Sequence, residues 1–492
     1  MAQDSNRYIA HLLRRAGFGA RPDELDSYGG MSISDAVEAL VHFERVPDTV
    51  DTFIGMPGYA GVTARGPFSP RSNINDARQR WLFRMVHSDR PLQEKMTLFW
   101  HNHFATAYGK IALALIATEG ARYLAAKPSE DPGRVRGQIE MLRDNALGNF
   151  RDILLNIARD VAMLVWLDGQ TNTKTKPQEN FAREIMELFT MGVGNYTEPD
   201  VYAGARVFTG WNMRRVGADP GGAGTLPDSA HYEFFYDPSQ HDTSSKTFSF
   251  PIYPDGGKTI PARSAASGMQ DGVDLIDALA ANPNTGRYLA AKLYRFFVSD
   301  FRTPDPTFVD RIASVYFQSR YNMREVVREI FLTPQFWDDS SYFARYSWPV
   351  EYVVQAIKDV GWVGFSVDEA RAAMSAMGQD LFEPPDVNGW VGGQTWFSSG
   401  AMLARMNFAS LLAANQRFNL AVRAKPAAAT PESFLAFFLD AFRSPPIDSR
   451  TRGDLLNYLQ ANGPWTATDA QIQAKSVGLV HLIAASPEYQ FV

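Results

Sequence analysis

The 492-residue chain contains no cysteine. Disulfides, thiolate metal sites, iron–sulfur clusters and a cysteine nucleophile are therefore excluded, and any metal would rest on His, Asp, Glu or water. Histidine is scarce as well, with 8 in all. No stretch approaches the roughly 18 uncharged apolar residues of a membrane-spanning helix, so no membrane span is expected. Met1-Ala-Gln-Asp-Ser-Asn-Arg7 has no apolar core of the kind a secretory signal needs. As written, the chain is expected to be cytoplasmic, or exported if a leader was removed. Basic residues do not exceed acidic ones: 48 Lys and Arg stand against 54 Asp and Glu, a formal charge of -6. Such a chain has no footprint for a phosphate backbone, and nucleic acid is not an expected partner. It also lacks a Gly-x-Ser-x-Gly elbow and a phosphate-cradling Gly-rich loop ending in Lys-Ser or Lys-Thr.

What is present is a long chain, 45% hydrophobic, able to bury a large core in two or three packed lobes. Apolar residues recur at three- and four-residue intervals, which predicts helices at 8–16, 34–43, 74–87, 92–104, 111–126, 135–146, 150–159, 179–191 and 199–208. The stretch 214–230 has loop composition, and 231–236 with 246–250 alternates as a small hairpin. Helices resume at 273–281, 285–297, 305–317, 323–331, 349–360, 367–377 and 401–415, and a Pro- and Ala-rich linker at 423–431 leads to a last helical segment. The expected fold is all-α with a small β-hairpin insert around residues 231–250. Its main domain is 1–422, with an insert at 214–272, and a C-terminal helical segment, 423–492, packs on it. A Thr-Pro step at 333–334 and a Ser-Pro step at 486–487 each read as a helix stop that opens a short new helix.

Two stretches carry potential chemistry. On a helix advancing about 100° per residue, Glu179, Asn180, Arg183, Glu184 and Glu187 share an arc of about 140°, and Phe181, Ala182, Ile185, Met186, Leu188 and Phe189 fill the other side. The strip is either a solvated face stitched by ion pairs or a site, because Glu184 and Glu187 stand one turn apart, as carboxylate ligands do in helical metal sites. Asp168 precedes it. Phe99-Trp-His-Asn-His-Phe104 places His101 and His103 within two residues, pointing about 200° apart on a continuous helix. They are buried packing residues, acid–base groups or metal ligands. His103, at the expected C-terminal exit of its helix, is expected to face the carboxylates. His241-Asp242, on the insert, could present polar groups to a cleft. Trp390 and Trp396, in a Gly- and Pro-rich loop, could anchor a lid or form a platform for a sugar ring.

The phrases His11-Leu-Leu-Arg-Arg-Ala-Gly-Phe-Gly19, Phe99-Trp-His-Asn-His-Phe104, Glu179-Asn-Phe-Ala-Arg-Glu184, Glu187-Leu-Phe-Thr-Met-Gly192, Asn195-Tyr-Thr-Glu-Pro-Asp-Val201, Phe208-Thr-Gly-Trp211, His241-Asp242 with Lys246-Thr247, and Phe382-Glu-Pro-Pro-Asp-Val-Asn-Gly-Trp-Val-Gly-Gly393 resemble the signature blocks of a bacterial family, domain of unknown function 1800. The resemblance runs from residue 11 to the chain end. It implies a mainly helical protein, often exported and often encoded beside a second family that looks like the sulfatase and alkaline phosphatase fold. It carries over no catalytic residue.

These readings lead to an expected hydrolase. Glu184, Glu187, His103 and Asp168 would be catalytic, and Arg183, Asn180, His241, Trp390 and Trp396 would bind a carbohydrate or other polymer. A divalent metal could rest on Glu184, Glu187, His101 and His103. The alternative is a non-catalytic scaffold for the sulfatase-like neighbour.

Overall fold

The computed structural model describes residues 2–62, 68–217, 229–362, 365–415 and 420–492; the side chains of residues 2–6 are not among what it describes. Among these residues are 24 α-helices and two two-stranded antiparallel sheets, so the chain is mainly α-helical with a small β insert. No described helix is long and apolar enough to cross a membrane.

Half of the described α-helices open on a side chain that caps the first free backbone N–H groups. Asn149 accepts from Arg151 N–H, Asn282 from Asn284 and Asp305 from Thr307, the last two just before Pro283 and Pro306. The two Pro steps differ in detail. Ser486 accepts from Tyr489 N–H, whereas the Thr333 hydroxyl turns back and donates to Ile330 O at 2.7 Å.

Several expected elements change on folding. The single helix expected over 111–126 is broken into Tyr108–Leu115 and Ala117–Ala125 by Ile116, at φ 76°. The two halves fold back so closely that a Cβ on Gly120 would lie 2.9 Å from Ala112 Cα, a contact no side chain tolerates. The helix expected over 179–191 is regular only over Asn180–Glu187. Beyond it the bonds widen to i−5, from Phe189 N–H to Glu184 O and from Met191 N–H to Met186 O. The expected pairing of 231–236 with 246–250 does not form. His231–Tyr236 pairs with Trp211–Val216, and Lys246–Thr247 pairs with Thr259–Ile260. Most of the loop expected over 214–230 lies outside the described residues. The expected linker at 423–431 is largely helical, with Leu420–Ala424 running into a 3₁₀ turn, Lys425–Ala427. Beyond it, helix Asp469–Ala484 packs on Ser399–Ala414, and the chain end returns to the centre through Val492 N–H to Arg345 O at 2.9 Å.

Two helices form the centre. Pro91–His103 is buried at every position but Asn102, and Pro349–Val360 is buried throughout. A helix buried on all sides must satisfy its polar side chains from neighbouring elements. Glu94 accepts from Trp81 Nε1 at 3.0 Å, Arg84 Nε at 2.7 Å and Arg143 Nε at 3.1 Å. Glu351 accepts from Lys95 Nζ, from Arg345 Nη2 and from Trp348 N–H at 2.9 Å, and these cations hold its carboxyl down to about 2 despite burial. Lys358 donates to Gly19 O at 3.0 Å, and Tyr489 Oη donates to Asp359 Oδ2 at 2.6 Å. The two central helices are thus bolted to one another by Lys95–Glu351.

Replacing Glu351 by Ala would leave Lys95 and Arg345 buried without their counter-ion. The expected loss is roughly 3–5 kcal/mol of unfolding free energy, read from urea denaturation at neutral pH. A loss below about 1 kcal/mol would show that the pair does not hold the two helices together.

Candidate functional site

The carboxylate strip forms at the surface, and its neighbours come from four parts of the chain. Asp168, in the left-handed region at φ 61°, follows helix Val161–Trp166. The loop behind it is fastened by Asn172, whose Nδ2 donates to Ala205 O at 2.9 Å and whose Oδ1 accepts from Gln178 N–H at 3.0 Å. Asp168 then joins two residues: Lys110 Nζ donates to Oδ1 and Asn180 Nδ2 to Oδ2, each at 3.0 Å. Asp168 and Asn180 therefore lie side by side as expected, with Lys110 as an unforeseen third member.

Glu184 is half-buried, and its carboxyl is pushed up to about 7, first by burial and then by the Glu187 charge; Arg183 pulls it down, and Asp386 adds a smaller push. Glu187 ends the helix and accepts a hydrogen bond from the Tyr196 hydroxyl. Tyr288 lies nearby. Its hydroxyl donates to Leu188 O at 3.0 Å, and burial, then the Glu187 charge, raises it to about 12. One turn on, Lys292 Nζ lies 5.3 Å from the centre of the Tyr288 ring. Among the described residues Lys292 has no hydrogen bond or ion pair, and burial, then Arg295, holds it down to about 8.

Other expected members lie elsewhere or are already engaged. Arg183 makes a bidentate pair with Glu198 at 2.7 and 2.8 Å and reaches Glu179 at 3.4 Å, which leaves little of its fork for a substrate. His103 does not face the carboxylates. Its Nε2 is 3.0 Å from Phe189 O, its ring is packed among Phe99, Phe104 and Phe150, and burial, then Lys292, drives its pKa well below the ordinary value. His101 points the opposite way, as its spacing requires. Its Nε2 accepts from Phe382 N–H at 3.1 Å among Trp81, Phe382 and Trp390, and burial lowers it to about 3. Both rings are neutral packing residues, so the metal set Glu184, Glu187, His101 and His103 does not converge. Among the described residues no group of three or more His, Asp or Glu is placed to hold a metal ion.

His241 is likewise structural. Its Nδ1 is 2.9 Å from Thr209 O and its Nε2 3.3 Å from Asp271 Oδ2, while Asp271 also takes Lys246 Nζ at 2.6 Å and Arg263 Nη1 at 2.7 Å. Trp390 and Trp396 are buried anchors, not an open platform. Trp390 N–H donates to Asn102 Oδ1 at 2.7 Å, and Trp396 packs against Trp348 with ring centres 6.2 Å apart. Gly389, at φ 78°, permits this approach, since a Cβ there would lie 2.4 Å from Asn102 Oδ1. The anchored loop sets Asp386 close enough to raise Glu184.

The sequence reading missed Lys110, Tyr196, Tyr288, Lys292 and Asp386. Tyr196 and Asp386 lie inside two of the quoted blocks, a signal that was available; Lys292 carries none. Cavities of about 820 Å³, beside Arg151 and Tyr253, and about 1070 Å³, beside Arg14, are not lined by the strip.

The chain matches the family described as "Protein of unknown function (DUF1800)" over residues 11–491, and it belongs to that family. No curated protein and no solved structure matches it.

The raised Glu184 carboxyl has a signed consequence for stability. Between the ordinary value of 4.5 and about 7, the folded chain holds a proton that the unfolded chain has lost. This contribution is complete below the ordinary value and disappears as pH rises through about 7. Glu184→Gln keeps the uncharged form, so its thermal midpoint relative to wild type should rise between about pH 5 and about pH 8.5. A constant difference would show that Glu184 titrates as an ordinary surface carboxyl.

Proposed function

We propose that the protein is a hydrolase in which Glu184 and Glu187 supply acid–base chemistry. The observation that carries this reading is the Glu184 carboxyl, desolvated beside a second carboxylate and so protonated near neutral pH, a pattern that separates a general acid from its partner base. Glu184 donates its proton to the leaving group. Glu187, oriented by the Tyr196 hydroxyl, takes a proton from the attacking water. Lys110, Asp168 and Asn180 form a polar edge for binding. Histidine has no part in the reaction. The proposed substrate is a hydrolysable polar polymer, with carbohydrates the first class to screen; recognition would rest on hydrogen bonds, since both tryptophans are engaged in the core.

A second reading, a partner protein for a sulfatase-like neighbour, is favoured by one surface feature. Leu403 and Met406 on helix Ser399–Ala414 are 60% and 47% exposed, and Leu482 on the helix packed beside it is 40% exposed. Exposed apolar side chains on two helices packed together favour a protein contact.

With a turned-over substrate in hand, Glu184→Gln and Glu187→Gln should each lower kcat by about 10²–10⁴-fold with folding retained. The wild-type rate should fall as pH rises above about 7, where Glu184 loses its proton. Unchanged rates in both variants would sink the acid–base reading. Co-purification with the sulfatase-like protein, lost on Leu403→Glu, would favour the second.

A further inference from the structure

The first helix, Ala2–Ala16, presents Arg7, Ala10 and Arg14 on one face, and that face walls the cavity of about 1070 Å³. Tyr342 and Phe343 line it from one segment, and Arg443 and Ser444 from another. Arg14 is 4% exposed, and its Nε and Nη1 have no hydrogen-bond acceptor among the described residues, Asp359 acting on it only through space. Its guanidinium rests on the Phe343 ring, with Cζ 3.9 Å from the ring centre. The Tyr342 hydroxyl is also buried without a partner, and the His11 ring stacks on Tyr342 at 4.1 Å. Arg443 reaches the cavity while donating to Ala20 O at 2.9 Å through Nη2, and its Nε lies 3.6 Å from Asp359 Oδ1. Asp26, Asp339 and Asp440 also line the cavity, but all three are exposed at its rim, and Asp339 is taken by Arg7 at 2.7 Å.

A buried guanidinium without an acceptor is costly, and the walls around it are strained. Phe343, Arg443 and Ser444 stand at φ 53°, 60° and 51°, in the left-handed region that non-glycine residues rarely adopt. Unmet donors and strained backbone thus meet at one cavity, whose lining contains no group the acid–base reading uses. Arg14 lies in the block His11–Gly19, which that reading leaves without a role.

We propose that this cavity binds an oxyanion, the phosphate or carboxylate group of a small molecule, held by Arg14 at the floor with Arg443 and the Tyr342 hydroxyl beside it. The planar fork of a guanidinium matches either group, and burial of the fork excludes competing water.

The test uses the full chain with sodium phosphate in one arm and sodium acetate in the other, with ionic strength matched by sodium chloride to remove general screening. Titration calorimetry should show saturable binding of at least one anion, and the thermal midpoint should rise with its concentration. Binding of phosphate alone would identify a phosphoryl ligand, and binding of acetate alone a carboxylate. Tyr342→Phe should weaken binding about tenfold, the weight of one hydrogen bond to a charged group. Arg14→Met should abolish binding with folding retained, because Asp359, which loses one cationic neighbour, still faces Arg443 and the Tyr489 hydroxyl. If Arg14→Met does not fold, Tyr342→Phe decides. Failure of the wild type to bind either anion at about 10 mM, or equal affinity in wild type and Tyr342→Phe, would overturn the proposal.

Discussion

The structure depends on a helix that has no exposed side. Pro91–His103 passes through the middle of the molecule carrying Gln93, Glu94, Lys95, Thr97, His101 and His103, all buried. Each of these groups would cost more than the fold can spare if left without a partner. The surrounding elements are therefore placed where they answer it: Arg84 and Arg143 at Glu94, Glu351 at Lys95, the Arg143 carbonyl at Gln93, Phe382 N–H at His101 and the Phe189 carbonyl at His103. Apolar packing alone would allow this helix to rotate or slip. The polar groups favour one register, since their partners sit at fixed places on the surrounding elements.

The same constraint separates the histidines from the carboxylates. The i, i+2 spacing sends the rings of His101 and His103 to opposite sides of the helix, where each meets a backbone group of a different segment. His103 bonds to Phe189 O, just past the end of the helix that bears Glu184 and Glu187. It helps to position that helix without touching its acidic face. On the solvent side, Glu184 borrows its unusual acidity from burial, from Glu187 one turn away and from Asp386 on a loop that Trp390 pins to Asn102. The insert follows a parallel logic: Asp271 gathers His241, Lys246 and Arg263 in its interior and leaves none of them for an open cleft.

Helical periodicity, Pro steps and capping residues are local signals, and they were legible: Pro349–Val360 lies where its pattern put it, and the arc from Glu179 to Glu187 does carry the polar face. The break at Ile116 was not legible, because it depends on Gly120 meeting Ala112 from the other half of the hairpin. Strand pairing in the insert was not legible for a similar reason. Alternation marks His231–Tyr236 as a strand, but nothing within it selects Trp211–Val216 as its partner.

The sequence by itself determined the mainly helical class, the family blocks, the exclusion of cysteine chemistry and the presence of a carboxylate strip, because each follows from residue type and spacing along the chain. Only the tertiary structure decided that both histidines and both loop tryptophans are buried, and that Tyr196, Tyr288 and Asp386 gather about the glutamates. It alone left Arg14 without an acceptor beside a cavity. Burial and partner choice arise from contacts between segments hundreds of residues apart, such as Asn102 with Trp390, and no local pattern encodes which of two polar side chains will find its partner inside.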